Sequence, residues 1–404
     1  MEKKSNRKPA YIFILVMGMV SLFSDLTHEG ARSIYGSYLG FLGASAMVIS
    51  TVSGLGEFLG QGLRLFTGYI TDKTRKYWLF AIIGYSFNII IIPLFAFVPM
   101  NGWLLACFLV VMERVGKAIR APAKSTLLSF AGNQIGVGKT FAIHEALDQI
   151  GAFLGPILLF VIMTLMKGGD QMRTYSVAFL SLGVTALLTV IILLIARKQF
   201  PHPDLFEEGN DNKSSLYDNK YFWIYIAAIG FIAAGFIDYP LIAFHIGNRT
   251  AIPVNYIPLL YGIAMAADAF AALFFGSLFD KKGIISLMIA VIISSLFGLF
   301  IFVGESLTFM VITGVILWGI GMGAQESVLK AVIGKIVAKE KRASAYGLFN
   351  AIFGLFWFAG SALIGYIYGF SLWAVAVISL LLQLASLPLL IYLSVHLDNK
   401  KRLD

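Results

Sequence analysis

A chain of 404 residues that is 58% hydrophobic, only 13% charged, and has a mean hydropathy of +0.82 is not a soluble domain, in which about 25% of residues are charged. Its single cysteine, Cys107, excludes an internal disulfide framework and a cysteine-based zinc site. The net charge of +9 brings nucleic acid to mind only until the cations are located. The segment before Pro9 is polar and carries Lys3, Lys4, Arg7 and Lys8, and the apolar run after it continues past Asp25 without a small-residue cleavage site. It reads as a retained first helix rather than a signal peptide. Apolar segments follow at 10–38, 44–71, 77–98, 102–123, 140–166, 173–196, 220–246, 254–279, 284–303, 307–330, 343–369 and 372–396, which is twelve spans. The one long polar stretch lies between the sixth and the seventh. It predicts an all-α polytopic membrane protein with an N-terminal six-helix bundle (1–196), a cytoplasmic linker (197–219) and a C-terminal six-helix bundle (220–404).

Placing the N-terminus in the cytoplasm assigns 23 of the 31 lysines and arginines to that side, and only Lys167, Arg173 and Arg249 to the other. This asymmetry predicts both termini in the cytoplasm of a multi-pass cell-membrane protein. The excess charge then faces anionic lipid, and no nucleic-acid partner is expected.

A short motif occurs twice. Gly68, Asp72 and Lys73, followed by Arg75, close the second segment; Gly276, Asp280 and Lys281 close the eighth, 208 residues after the first copy. Glycine allows close helix approach, and a carboxylate at a helix end can pair with cations or take bonds from a neighbouring helix. The fifth segment carries Gly151, Gly155 and Pro156.

Duplicated Gly-x-x-x-Asp-Lys motifs on a six-plus-six chain with a polar centre resemble the major facilitator superfamily, and the resemblance covers the whole chain. It implies a twelve-helix secondary transporter working by alternating access. The Gly-x-x-x-Gly-Pro run in the fifth segment looks like the signature of that superfamily's exporters, which implies efflux of a small molecule by proton antiport. In the fourth segment Gly116 and Pro122 match the family pattern, whereas Val110 and Arg114 replace its arginine and first glycine.

Ionisable groups at membrane depth cost about 2.5–3.5 kcal/mol each on insertion scales, so each one calls for a partner or a function. Asp25, His28, Glu29 and Arg32 share one face of the first helix at i, i+3, i+4, i+7. Glu57, Gln61 and Arg64 repeat the pattern on the second, and Glu113, Arg114, Lys117, Arg120 and Lys124 lie along the fourth. His144, Glu145, Asp148 and Gln149 lie on the fifth; Asp238, His245 and Asp268 belong to the second half. From these the expected substrate and proton-coupling residues are Asp25, His28, Glu29, Arg32, Glu57, Arg64, Glu113, Arg114, His144, Asp148 and Asp238. The alternative for Glu57, Arg64, Glu113 and Arg114 is a buried ion-pair network that fixes packing. Asp25 and Glu29, one turn apart beside Arg32, form a candidate proton site at which substrate and proton compete. Aromatics of the second half, among them Phe236, Phe270, Phe274 and Trp357, form a candidate apolar wall. A divalent metal shared by His28, His144, His245, Asp25 and Asp238 is a weaker alternative, because no two have a recognised ligand spacing. No cofactor is expected, and no nucleotide loop, nucleophile elbow or metal motif marks an enzyme. The expected partners are a small-molecule substrate, a proton and the lipid bilayer, with the chain a monomer. A facilitator, an importer, or a transport-dead receptor of the same fold are the alternatives.

Overall fold

The computed structural model describes residues 7–201, 220–337 and 342–400. Every apolar segment lies on helix. In chain order these are α1 (Arg7–Phe41), α2 (Ala46–Thr74), α3 (Tyr77–Leu94), α4 (Trp103–Ile135), α5 (Val137–Leu165) and α6 (Gln171–Gln199). Then come α7 (Lys220–Gly235), α8 (Tyr239–Arg249), α9 (Ile257–Lys282), α10 (Ile285–Ser294), α11 (Thr308–Ile336), α12 (Arg342–Tyr368), α13 (Leu372–Ala385) and α14 (Leu387–Lys400). Three predicted spans are interrupted rods: α7 with α8, α10 with a π-helical turn at Leu299–Val303, and α13 with α14. There is no strand among the described residues, so the fold is the all-α polytopic one. Ten of the helical stretches are long and apolar enough to cross a membrane. The polar side chains of α2 and α4 keep those two below the mark.

Two sequence boundaries need correction. The stretch 124–139, read as a loop after the fourth segment, is helical almost throughout: α4 runs to Ile135 and α5 starts at Val137. Leu127, Leu128, Phe130 and Ala131 are buried in a core cluster with α1, α3 and α6, and that packing carries α4 onward. Arg120 and Lys124 therefore lie inside a helix, and the cation asymmetry becomes 21 against three. The duplicated motif is not a loop either. Asp72 and Lys73 sit in the last turn of α2, and Asp280 and Lys281 in the last turn of α9. Three residues after each aspartate the backbone turns left-handed, at Arg75 (φ 54°) and Gly283 (φ 60°), and stops the helix.

The chain divides into two compact units, Met1–Ser33 with Leu63–Asp211, and Ile34–Gly62 with Asn212–Asp404. In the first, Phe13 meets Trp78 edge-on and Phe95 stacks on Phe179. With little hydrophobic drive between helices in lipid, close approach depends on small residues. At Gly151 and Gly155 of α5, a Cβ would run into the carbonyl oxygens of Leu22 and Leu26 on α1. The motif glycines behave differently. A Cβ at Gly68 would find Pro122 at 3.6 Å and one at Gly276 would find Ser327 at 3.9 Å, both ordinary contacts. The close approach expected of them is absent.

The second unit holds the facing ends of α1 and α2 together with α7–α14. Its α7–α8 rod breaks at Phe236–Asp238, and the freed backbone groups find partners. Gly235 O accepts from Ser379 Oγ at 2.6 Å, and Ile237 O accepts from Trp318 Nε1 at 2.8 Å. Phe236 and Trp357 belong to the buried aromatic cluster around Trp318, whereas Phe270 and Phe274 are exposed, so the expected aromatic wall splits between core and periphery.

Candidate functional site

The helical stripe on α1 meets α4 and α5 inside the first unit, and their polar side chains sort into two linked groups. In one, His28 Nδ1 lies 2.7 Å from Glu113 Oε1, and Arg114 Nη1 lies 3.3 Å from His28 Nε2. Arginine can only donate, so His28 Nε2 accepts and the ring proton sits on Nδ1, donated to Glu113. Glu29 faces His28 at 3.5 Å and Arg32 at 3.6 Å, and Arg114 Nε lies 3.7 Å from the second Glu113 oxygen. All five side chains are buried. These five side chains form one charge-paired group between α1 and α4.

One turn or more along, a second group forms a ladder. Arg120 donates to Ser24 Oγ and lays its guanidinium on the Tyr85 ring, 4.4 Å from the centroid. Lys124 donates to Ser21 Oγ at 3.1 Å and pairs with Asp148 at 3.5 Å. His144 Nδ1 lies 3.6 Å from the same Asp148 oxygen. Asp25 is half-buried in the field of Asp148, Lys117, Lys124 and Arg120, and makes no hydrogen bond or ion pair among the described residues. Asp25 and Glu29, read from sequence as one shared face, are thus drawn into different groups.

His144, Glu145 and Asp148 bring ligand atoms within 4.8 Å of one another, but the Lys124 ammonium already takes the cation's place on Asp148. The other histidines are engaged as well. His28 has both nitrogens in use, and His245 contacts Tyr368 Oη at 3.0 Å and Glu305 at 3.4 Å.

The remaining expected residues lie apart from this cluster. Asp238, in the second unit, caps α8 through Tyr239 N at 2.9 Å and accepts from Ser53 Oγ of α2. Glu57 also belongs to the second unit, and Arg64 is half-buried in the first. Asp72, Lys73, Arg75, Asp280 and Lys281 are exposed at their helix ends. Sequence reasoning left Ser21, Ser24, Tyr85, Arg120 and Lys124 out of the site. The signal for four of them was present: Ser21 precedes Asp25 by one turn and Ser24 directly, and Arg120 and Lys124 continue the α4 stripe at i+3 and i+7 from Lys117.

Comparison with known proteins decides the family. A family model described as the Major Facilitator Superfamily matches residues 236–403. An uncharacterized MFS-type transporter of Methanocaldococcus jannaschii is 27% identical over 372 residues, covering 89% of each chain. An uncharacterized protein of Mycobacterium tuberculosis is 37% identical over 387 residues, covering 94% of this chain and 92% of its own. The chain belongs to the major facilitator superfamily. Among solved structures, the nucleoside transporter NupG superposes with a TM-score of 0.71 at 15% identity, over 94% of this chain and 98% of its own. A bacterial homologue of the human lysosomal transporter Spinster, inward-facing and unoccupied, gives 0.68 at 12% identity, over 98% and 97%. At such identity these two show the shared fold. As a superfamily member the protein is a multi-pass membrane secondary transporter of a small-molecule substrate.

Proposed function

We propose that this transporter exports a small organic solute in exchange for protons across the cell membrane, with both termini in the cytoplasm and the monomer as the working unit. Its two six-helix halves, 1–196 and 220–404, rock about a midplane site and are joined by the linker 197–219, most of which lies outside the described residues. Glu29 pairs with Arg32, Glu113 with His28 and Asp148 with Lys124, each at 3.6 Å or less. Asp25 has no bonded partner among the described residues, and that single observation carries the coupling reading. An unpaired carboxylate held at membrane depth takes a proton as its counter-ion and gives it up when a substrate or a neighbouring cation rearranges. Export is supported by the fifth-helix Gly151, Gly155 and Pro156 signature. The test is proton release on binding a solute identified by its stabilisation of the purified protein. Release from the parent that disappears in a folded Asp25→Asn variant is expected; release retained in that variant overturns the assignment.

A further inference from the structure

Counting side chains more than two turns from a helix end, the first unit carries six cations along its helices, of which Arg32, Arg114 and Arg120 are buried and Arg64, Lys117 and Lys124 half-buried. Against them stand five carboxylates, Asp25, Glu29, Glu113, Asp148 and the exposed Glu145. One positive charge is in excess with every carboxylate ionised, and two when Asp25 carries a proton. The excess can be traced to a side chain. Arg32, Arg114 and Lys124 each face a carboxylate. Arg120 is 4% exposed and has no carboxylate within ion-pair distance among the described residues. Of its five N–H donors, Nη1 holds the neutral Ser24 hydroxyl, and Nε is buried without a partner. Tyr85 covers one guanidinium face, and its own hydroxyl is also buried without a hydrogen bond. What remains is the Nε–Nη2 edge, the fork that receives a carboxylate or phosphoryl group through two parallel hydrogen bonds. A buried guanidinium held by one hydroxyl and one ring is under-compensated, and an anion at that edge would complete it.

We propose that the Nε–Nη2 edge of Arg120, backed by Tyr85 and flanked one turn away by Lys124, is the subsite for the anionic group of the substrate, so that the transported solute is a small organic carboxylate or phosphate ester. The inference rests on the transporter reading above and narrows its substrate class. It also accounts for Ser21 and Ser24, which hold Lys124 and Arg120 in line along α1.

The test uses the purified full-length protein in detergent, with its melting temperature followed against succinate, the neutral diamide succinamide, glycerol 3-phosphate and dispersed phosphatidylglycerol. At least one soluble anion should raise Tm while succinamide does not. Its half-saturating concentration should rise about tenfold or more in Arg120→Lys, which keeps the charge and loses the fork. Phenylglyoxal labelling of Arg120 in the parent, read by peptide mass spectrometry, should be slowed by the same anion, a readout that needs no variant to fold. Absence of stabilisation by either soluble anion overturns the proposal, as does equal stabilisation by succinamide. Stabilisation by phosphatidylglycerol alone assigns the site to a lipid headgroup and also overturns it. Proton release measured on the same samples separates the two readings: anion binding that depends on Arg120 but releases no proton keeps this subsite and removes the Asp25 coupling.

Discussion

Replacing Gly155 by alanine should damage the fold, whereas the same change at Gly68 should not. The Cβ added at Gly155 would overlap the Leu26 carbonyl oxygen and come within 2.9 Å of Gly30 N, both backbone atoms of α1. No rotamer change can relieve that contact, so α1 and α5 must separate, and overpacking of this kind costs about 1–3 kcal/mol. At Gly68 the nearest atom is Pro122 Cβ at 3.6 Å. Alanine there meets no clash and gains the helix-interior preference over glycine, about 0.5–1 kcal/mol. Thermal unfolding of the two purified variants in one detergent, followed by tryptophan fluorescence, should move Tm down for Gly155→Ala and leave it level or raise it for Gly68→Ala. Equal losses at both sites, or a Gly155→Ala protein as stable as the parent, would refute the reading of the α1–α5 crossing.

Arg75→Gly should raise Tm, because a non-glycine residue in the left-handed region costs about 1–2 kcal/mol, while Gly283→Ala should lower it by a comparable amount; parallel melting curves check both. Asp72→Asn should leave expression and Tm close to the parent, since Asp72 is exposed on the last turn of α2, and should reduce transport through its place in the duplicated motif. Transport equal to the parent would remove that role. A cysteine at Ser214 should be labelled from the cytoplasmic side and one at Ser306 from outside, in a background with Cys107 replaced; labelling of both from one side would overturn the orientation.

Hydrophobic runs of about 20 residues, a 23-to-three cation bias and a motif repeated 208 residues apart made the span count, the family and the helix positions legible in the sequence. Hydropathy failed where a helix continues through polar residues. Lys124 to Ile135 is amphipathic, so the window ended α4 early and the cation count took Arg120 and Lys124 as cytoplasmic, although the stripe along the fourth helix already carried both. Periodicity placed Asp25, His28, Glu29 and Arg32 on one face correctly, but spacing along one helix says nothing about which neighbour each side chain meets. The division of Asp25 from Glu29 depends on Ser21, Ser24, Arg120 and Lys124 across the α1–α4 contact. Glycine function was equally out of reach: Gly68 and Gly155 look alike in sequence, and only the atoms facing them give them opposite roles. The breaks in α7–α8 and α13–α14 are marked locally, by Asp238 with Pro240 and by Pro388, but the partners of the carbonyls freed at the first, Trp318 and Ser379, are far along the chain.

The measurement that tests proton-coupled export most directly uses proteoliposomes with the protein reconstituted and the stabilising solute present on both sides. An imposed pH gradient should drive the solute uphill, opposite to the proton, in the parent. Asp25→Asn should lose that uphill movement while still exchanging labelled for unlabelled solute at equal concentrations, because the binding site and the rocking motion remain. Uphill movement retained in Asp25→Asn, or a parent protein indifferent to the gradient while exchange proceeds, would contradict the account.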